Sequence, residues 1–175
     1  MFKKIGIGFG IIIAGILILA AFQPREMNVG RELVIAASPE VLFPYMNNSQ
    51  KSYEWMPWAE GDPGIEIKYS GPSEGVGSKS NWNGKKMGIG SSEVVESVMN
   101  KIVKTKLEYT KPFEMSQLAE ISLTPTAGGA LVKWGVSGQN NYFFRLIGIF
   151  VNCDNMIGRE FEKGLSKLKS LTEAK

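Results

Sequence analysis

One apolar stripe near the C terminus constrains the fold more than any other feature. Between Tyr142 and Leu171 the apolar positions Ile147, Phe150, Val151, Ile157, Phe161, Leu165, Leu168 and Leu171 recur mostly at helical steps. Such spacing puts them on one face of an amphipathic helix. Lys163, Lys167, Lys169 and Glu173 fall largely elsewhere, where water can reach them. No helix of this kind buries its stripe alone, so the rest of the chain must supply a surface for it.

That surface is legible upstream as a series of short strands. Arg31–Ala37 reads as a first strand, with Leu33 and Ile35 alternating against Glu32 and Val34. Ser38-Pro39 then opens a helix to about Asn47, because serine suits the N-cap and proline the first helical position. From residue 65 the hydrophobic period becomes two. Ile65–Tyr69, Val76–Asn83, Met87–Val98, Ile102–Tyr109, Met115–Leu123 and Leu131–Gly138 read as six strands. Gly71-Pro72, Asn83-Gly84, Met99-Asn100, Lys111-Pro112 and Gly128-Gly129 supply the turns. Sequential antiparallel strands usually neighbour one another. With one apolar face per strand and one long helix to cover it, the expectation is an α+β chain. A curved antiparallel sheet of about seven strands wraps around a long C-terminal helix.

The N terminus is of another kind. Lys3 and Lys4 precede Ile5–Phe22, eighteen residues without a charge or a proline. As a helix this run would be about 27 Å long, close to a bilayer core. The expectation is an N-terminal transmembrane helix over 1–22, a linker over 23–30 and a soluble domain over 31–175. The paired lysines would stay inside. That would place a single-pass protein in the bacterial cytoplasmic (inner) membrane with its domain facing outward. A cleaved signal peptide is the rival reading; no cysteine follows the run, which excludes lipoprotein processing.

Composition removes several function classes. The formal charge of +3 includes Lys3 and Lys4, and the remaining basic residues are scattered, so nucleic acid is not an expected partner. The chain has no histidine and a single cysteine, Cys153. Histidine-based nucleophile systems and histidine-ligated zinc are therefore out, and no intramolecular disulfide can form. No glycine-rich phosphate loop joins a strand to a helix. No cofactor and no metal are implied, and the oligomeric state is not legible.

The order of elements resembles the helix-grip fold of the START-like, or SRPBCC, superfamily, and within it the bacterial polyketide cyclase/dehydrase-like branch. The residues that carry the likeness begin with Ala37-Ser38-Pro39-Glu40-Val41-Leu42-Phe43 and Trp55-Met56-Pro57-Trp58. They continue with Tyr69-Ser70-Gly71-Pro72, Gly75-Val76-Gly77, Glu96-Ser97-Val98 and Lys111-Pro112-Phe113. Asn152-Cys153-Asp154-Asn155-Met156-Ile157-Gly158, running into Phe161-Glu162-Lys163-Gly164-Leu165, closes the set. The resemblance implies an internal cavity between the sheet and the terminal helix. The superfamily includes lipid carriers, hormone receptors, aromatic cyclases and co-chaperones, so the fold does not fix the function.

On that expectation Trp82, Val94, Tyr109, Ile121, Trp134, Phe150, Ile157 and Phe161 line the cavity and bind a small hydrophobic molecule or lipid. They could equally pack against one another. Trp55 and Trp58 form either a gate or a hydrophobic plug. Asp154 lies within the apolar stripe, as a buried cavity acid would, which makes it the candidate catalytic residue and a ligand anchor. The other reading makes Asp154 the N-cap of a second helix. Two functions follow: a membrane-anchored binding protein, or a cyclase/dehydrase-like enzyme using a cavity carboxylate. An anchored protein-interaction module is a third.

Overall fold

The computed structural model describes residues 2–173, with side chains from Gly8 onward except Phe9 and Ala59. It is an α+β arrangement. Seven antiparallel strands form one open sheet in the order β1-β7-β6-β5-β4-β3-β2. The strands are β1 (Glu26–Ile35), β2 (Glu66–Ser70), β3 (Lys79–Gly84), β4 (Gly88–Val98), β5 (Ile102–Lys111), β6 (Met115–Thr126) and β7 (Gly129–Gln139). Short helices α2 (Pro39–Asn47), α3 (Ser49–Trp55) and α4 (Trp58–Gly61) join β1 to β2, while α5 (Tyr142–Gly148) and the long α6 (Cys153–Glu173) follow β7. Five of the six strand pairs are consecutive in sequence, and β7 returns to β1, so the first strand sits at one edge with β2 at the other.

The sheet bends where β4 and β5 change register, between Ile89 and Gly90 and again between Val94 and Glu96. Extra residues of this kind curve a strand locally. The curve turns one face toward α6. Phe161, Leu165 and Leu168 are buried there, against Val29, Ile35, Val132 and Trp134 of the sheet. Gly164 makes close approach possible, because a Cβ at this position would sit 2.8 Å from the Trp134 ring. Trp55, fully buried, meets the same ring edge to face, with ring centroids 5.0 Å apart.

Local capping explains the element boundaries. The Asn48 side chain accepts from the backbone N–H groups of Gln50 and Lys51 and starts α3. Asn141 does the same for α5, accepting from Phe144, and Asn152 for α6, accepting from Asn155 at 3.0 Å. The first strand begins at Glu26 rather than Arg31, so much of the expected linker is part of the sheet.

The expected membrane placement requires correction. The apolar run is helical, as α1 (Phe2–Phe22), but among the described residues no helix is long and apolar enough to cross a membrane. The C-terminal turns of α1 also dock on the protein. Ala20 is buried, Tyr142 donates to the Leu17 carbonyl at 2.6 Å, and Arg145 donates to the Ala21 carbonyl at 3.2 Å. The expected topology signal, Lys3 and Lys4, lies outside the described side chains.

Candidate functional site: the cavity under helix α6

The concave face of the sheet, α2–α4 and the first turns of α6 enclose a cavity of about 320 Å³. Its floor is built in cross-strand rows. Trp82, Gly90, Tyr109 and Met115 form one row across β3–β6, and Ser80, Ser92, Leu107 and Gln117 form the next. Beyond them lie Val94, Thr105, Ala119 and Val136, then Ile121 and Trp134. Ile157 and Phe161 of α6 close one side, and Met46, Ser49, Tyr53, Met56 and Trp58 close another.

Because the strand period is two, the alternation that buries Ile121 and Leu123 also brings Gln117 and Ala119 to the concave face. The result is a wall of mixed character. Trp134 stacks on Phe161 at a centroid distance of 4.1 Å, and Trp58 meets its edge at 6.2 Å, making one end aromatic and dry. The opposite end carries hydroxyl and amide groups, with Trp82 set edge-on to Tyr109 at 5.3 Å. Ser80 and Ser92 satisfy each other at 2.7 Å. Among the described residues the titratable groups on the wall are the phenols of Tyr53 and Tyr109, and burial pushes both above the ordinary tyrosine value. They stay protonated near neutral pH and can serve as hydrogen-bond donors. Among the described residues no Asp, Glu, Lys or Arg side chain lines the cavity. Among the described residues no group of His, Cys, Asp and Glu could hold a metal ion.

One rim of the cavity is fastened by Asp62. This carboxylate is almost fully buried and accepts from the backbone N–H groups of Lys86 (2.7 Å) and Met87 (3.1 Å) at the β3–β4 turn. Those two bonds hold its pKa below the usual carboxylate range, against the opposing effect of desolvation. Ile65 and Met87, on either side of this clasp, both face the cavity.

The structure places Trp82, Val94, Tyr109, Ile121, Trp134, Ile157 and Phe161 on the cavity wall, together with Trp58. Three expected site residues are elsewhere. Trp55 is no gate: it lies in the core with 0% exposure and donates to the Tyr45 carbonyl at 2.8 Å. Phe150 is 70% exposed, in the segment between α5 and α6. Asp154 neither faces the cavity nor caps α6, since Asn152 is the cap. Its side chain is 55% exposed and pairs with Arg31 of β1 at 3.0 Å. The Arg31 guanidinium holds the Asp154 carboxyl below its ordinary range. Arg31 also bonds Glu162 at 2.9 Å and lies across Gly158, where any Cβ would overlap its guanidinium. An acid within the stripe is thus explained by a cation on the facing strand, a partner too distant in sequence to be seen.

The sequence reading missed Met46, Met87, Met115 and Gln117. Gln117 had a signal, because it shares the parity of Ala119 and Ile121. The methionines had none beyond their type.

No protein-family model matches the chain, and no curated protein sequence matches it. Solved structures do. Protein SA2116 of Staphylococcus aureus, of unknown function, superposes with a TM-score of 0.63 at 13% identity, over 88% of this chain and 97% of that one. The Aha1 dimer of Colwellia psychrerythraea gives 0.55 at 19%, over 85% and 95%. The di-domain ARO/CYC StfQ of the steffimycin biosynthetic pathway gives 0.60 at 11%, over 85% of this chain and 51% of StfQ. The chain shares the fold of these structures, consistent with the START-like helix-grip fold that its order of elements resembles. Within this START-like fold the cavity sits between sheet and terminal helix, as the element order led one to expect. Structures as different as Aha1 and an ARO/CYC share the scaffold, so function has to be argued from the wall of this cavity.

Proposed function

We propose that the chain binds a small, uncharged, largely apolar molecule in the cavity beneath α6. The observation that carries this reading is the character of the wall: aromatic and aliphatic side chains, a few neutral hydrogen-bonding groups and no charge. Pockets of about 300–1,000 Å³ with that mixture suit small-molecule ligands, the apolar surface giving affinity and the polar groups orientation. A charged ligand would lose its hydration and meet no partner. A lipid is compatible only through its apolar part, given the size. The ligand-binding unit is the sheet with α2–α6, and the expected division of the chain at residues 22 and 30 enters only as a proposal about α1 as a separate appendage.

Catalysis by a cavity carboxylate, the cyclase/dehydrase-like alternative, finds no support in the wall, since Asp154 is engaged outside it by Arg31. The likeness to StfQ supports the scaffold and not its chemistry. The test is native mass spectrometry of the full chain purified without detergent, followed by organic extraction. The expected result is a fraction of the protein carrying one small neutral molecule, released on extraction. A chain mass without any adduct, and no uptake of added N-phenyl-1-naphthylamine, would count against ligand binding.

A further inference from the structure

We infer that the ligand carries an uncharged hydroxyl group, held by Gln117 and Tyr109 on the floor of the cavity. This deepens the binding role proposed above and rests on it.

Gln117 is only 9% exposed. Its amide nitrogen meets just two thioether sulfurs, Met115 at 3.5 Å and Met27 at 3.8 Å, and thioethers are weak acceptors. No hydrogen bond to its carbonyl oxygen occurs among the described residues. A buried amide is costly unless its polar atoms find partners, and an apolar residue would fill this position at lower cost. Tyr109 is a second group of the same kind. It is half-buried in the cavity wall, and its phenol makes no hydrogen bond among the described residues.

The two side chains belong together. Tyr109 pairs with Met115 and Leu107 with Gln117 in the β5–β6 register, so Tyr109 and Gln117 are diagonal neighbours on one face. Diagonal neighbours lie within reach of a shared group. Their chemistries are complementary: the Gln117 carbonyl accepts and the Tyr109 phenol donates. A hydroxyl group can donate to one and accept from the other at once. A carbonyl could accept from the Tyr109 phenol, the Gln117 amide or the Trp82 indole N–H, which has no partner among the described residues, but it would leave the Gln117 carbonyl without a donor, and a carboxylate would be buried without a cation. The rest of the molecule faces Trp82, Trp134, Phe161 and aliphatic side chains, which fit a flat apolar ring system.

Naphthalene, 2-naphthol and 2-naphthoate share one ring system and differ in this single respect. Titration calorimetry on the full chain near pH 7 separates the possibilities. Wild type is expected to bind 2-naphthol roughly tenfold tighter than naphthalene, the scale of one or two hydrogen bonds to buried groups. Binding of 2-naphthoate is expected to be at least roughly tenfold weaker than 2-naphthol, because its charge is stranded. Gln117→Leu and Tyr109→Phe should each reduce the ratio of 2-naphthol to naphthalene affinity, whatever either substitution does to naphthalene binding itself. Tyr109→Phe removes a single oxygen, so it keeps the test decisive should Gln117→Leu fail to fold. Equal affinities of wild type for naphthalene and 2-naphthol would overturn the hydroxyl site while leaving cavity binding intact, as would a preference that survives both substitutions. Failure of all three compounds to bind would overturn cavity binding itself, and the hydroxyl site with it.

Discussion

Replacing Trp134 with alanine is expected to destabilise the protein by about 3–5 kcal/mol, the usual cost of deleting a large aromatic from a packed site. Trp134 is 2% exposed and is where the layers meet. Its ring stacks on Phe161 of α6 and takes the edges of Trp55 and Trp58 from the α2–α4 side. Alanine would remove all three contacts and leave Gly164, which exists to admit the ring, facing a gap. With a urea slope of about 2 kcal/mol/M, the unfolding midpoint should fall by about 2 M. Trp134→Phe should recover part of the loss by restoring the stack on Phe161. A Trp134→Ala midpoint within about 0.5 M of wild type would mean that the aromatic cluster is not where the fold draws its stability.

The second large effect lies at the β6–β7 turn. Gly129 has φ of +136°, a conformation that L side chains rarely adopt. A Cβ there would also overlap the Ile35 carbonyl oxygen and approach the backbone of Ala36 and Ala37 to 2.8 Å. These are main-chain atoms at the end of β1, where Ala36 N–H also donates to Glu173 of α6 at 2.7 Å. The strain cannot be relieved by turning a side chain. Gly129→Ala is therefore expected to cost about 3 kcal/mol, combining backbone strain with overpacking. Its neighbour provides the control, since a Cβ at Gly128 meets nothing within 4 Å. Gly128→Ala should change stability by less than about 0.5 kcal/mol. Thermal melts of the two variants side by side decide the point, and equal melting temperatures would refute it.

The fold was largely readable because its signals are local and repeated. Six strands announce themselves by a period of two and by turn residues, and Ser38-Pro39 marks a helix start. The site was readable where alternation within one strand decided it, as at Trp82, Tyr109, Ile121 and Trp134. It was misread where a helical phase was carried across a break. A single helix from Tyr142 to Leu171 would put Phe150 and Asp154 in line with Phe161; the alternative reading, a break with Asp154 as the N-cap of a second helix, has the break right, but the chain leaves α5 at Gly148 and the cap is Asn152. Trp55 and Trp58 look like a pair in sequence and end up in different elements on either side of Pro57. The Arg31–Asp154 pairing joins residues from opposite ends of the domain, and only the folded topology brings them together. The N-terminal run was read from hydropathy alone, which does not register that Tyr142 and Arg145 hold its carbonyls against the protein.

Whether the cavity under α6 is where a ligand sits can be asked most directly at Ala119. This small residue lies on the floor between Thr105 and Val136, and a phenylalanine there would occupy the space a ligand needs. Filling a cavity in this way tends to leave stability unchanged or raised. The measurement is fluorescence titration of the neutral probe N-phenyl-1-naphthylamine against wild type and Ala119→Phe. Wild type should bind one probe per chain, and the variant should bind it at least roughly tenfold more weakly while melting no lower. Equal binding by both proteins would place the probe elsewhere and contradict a ligand site beneath α6.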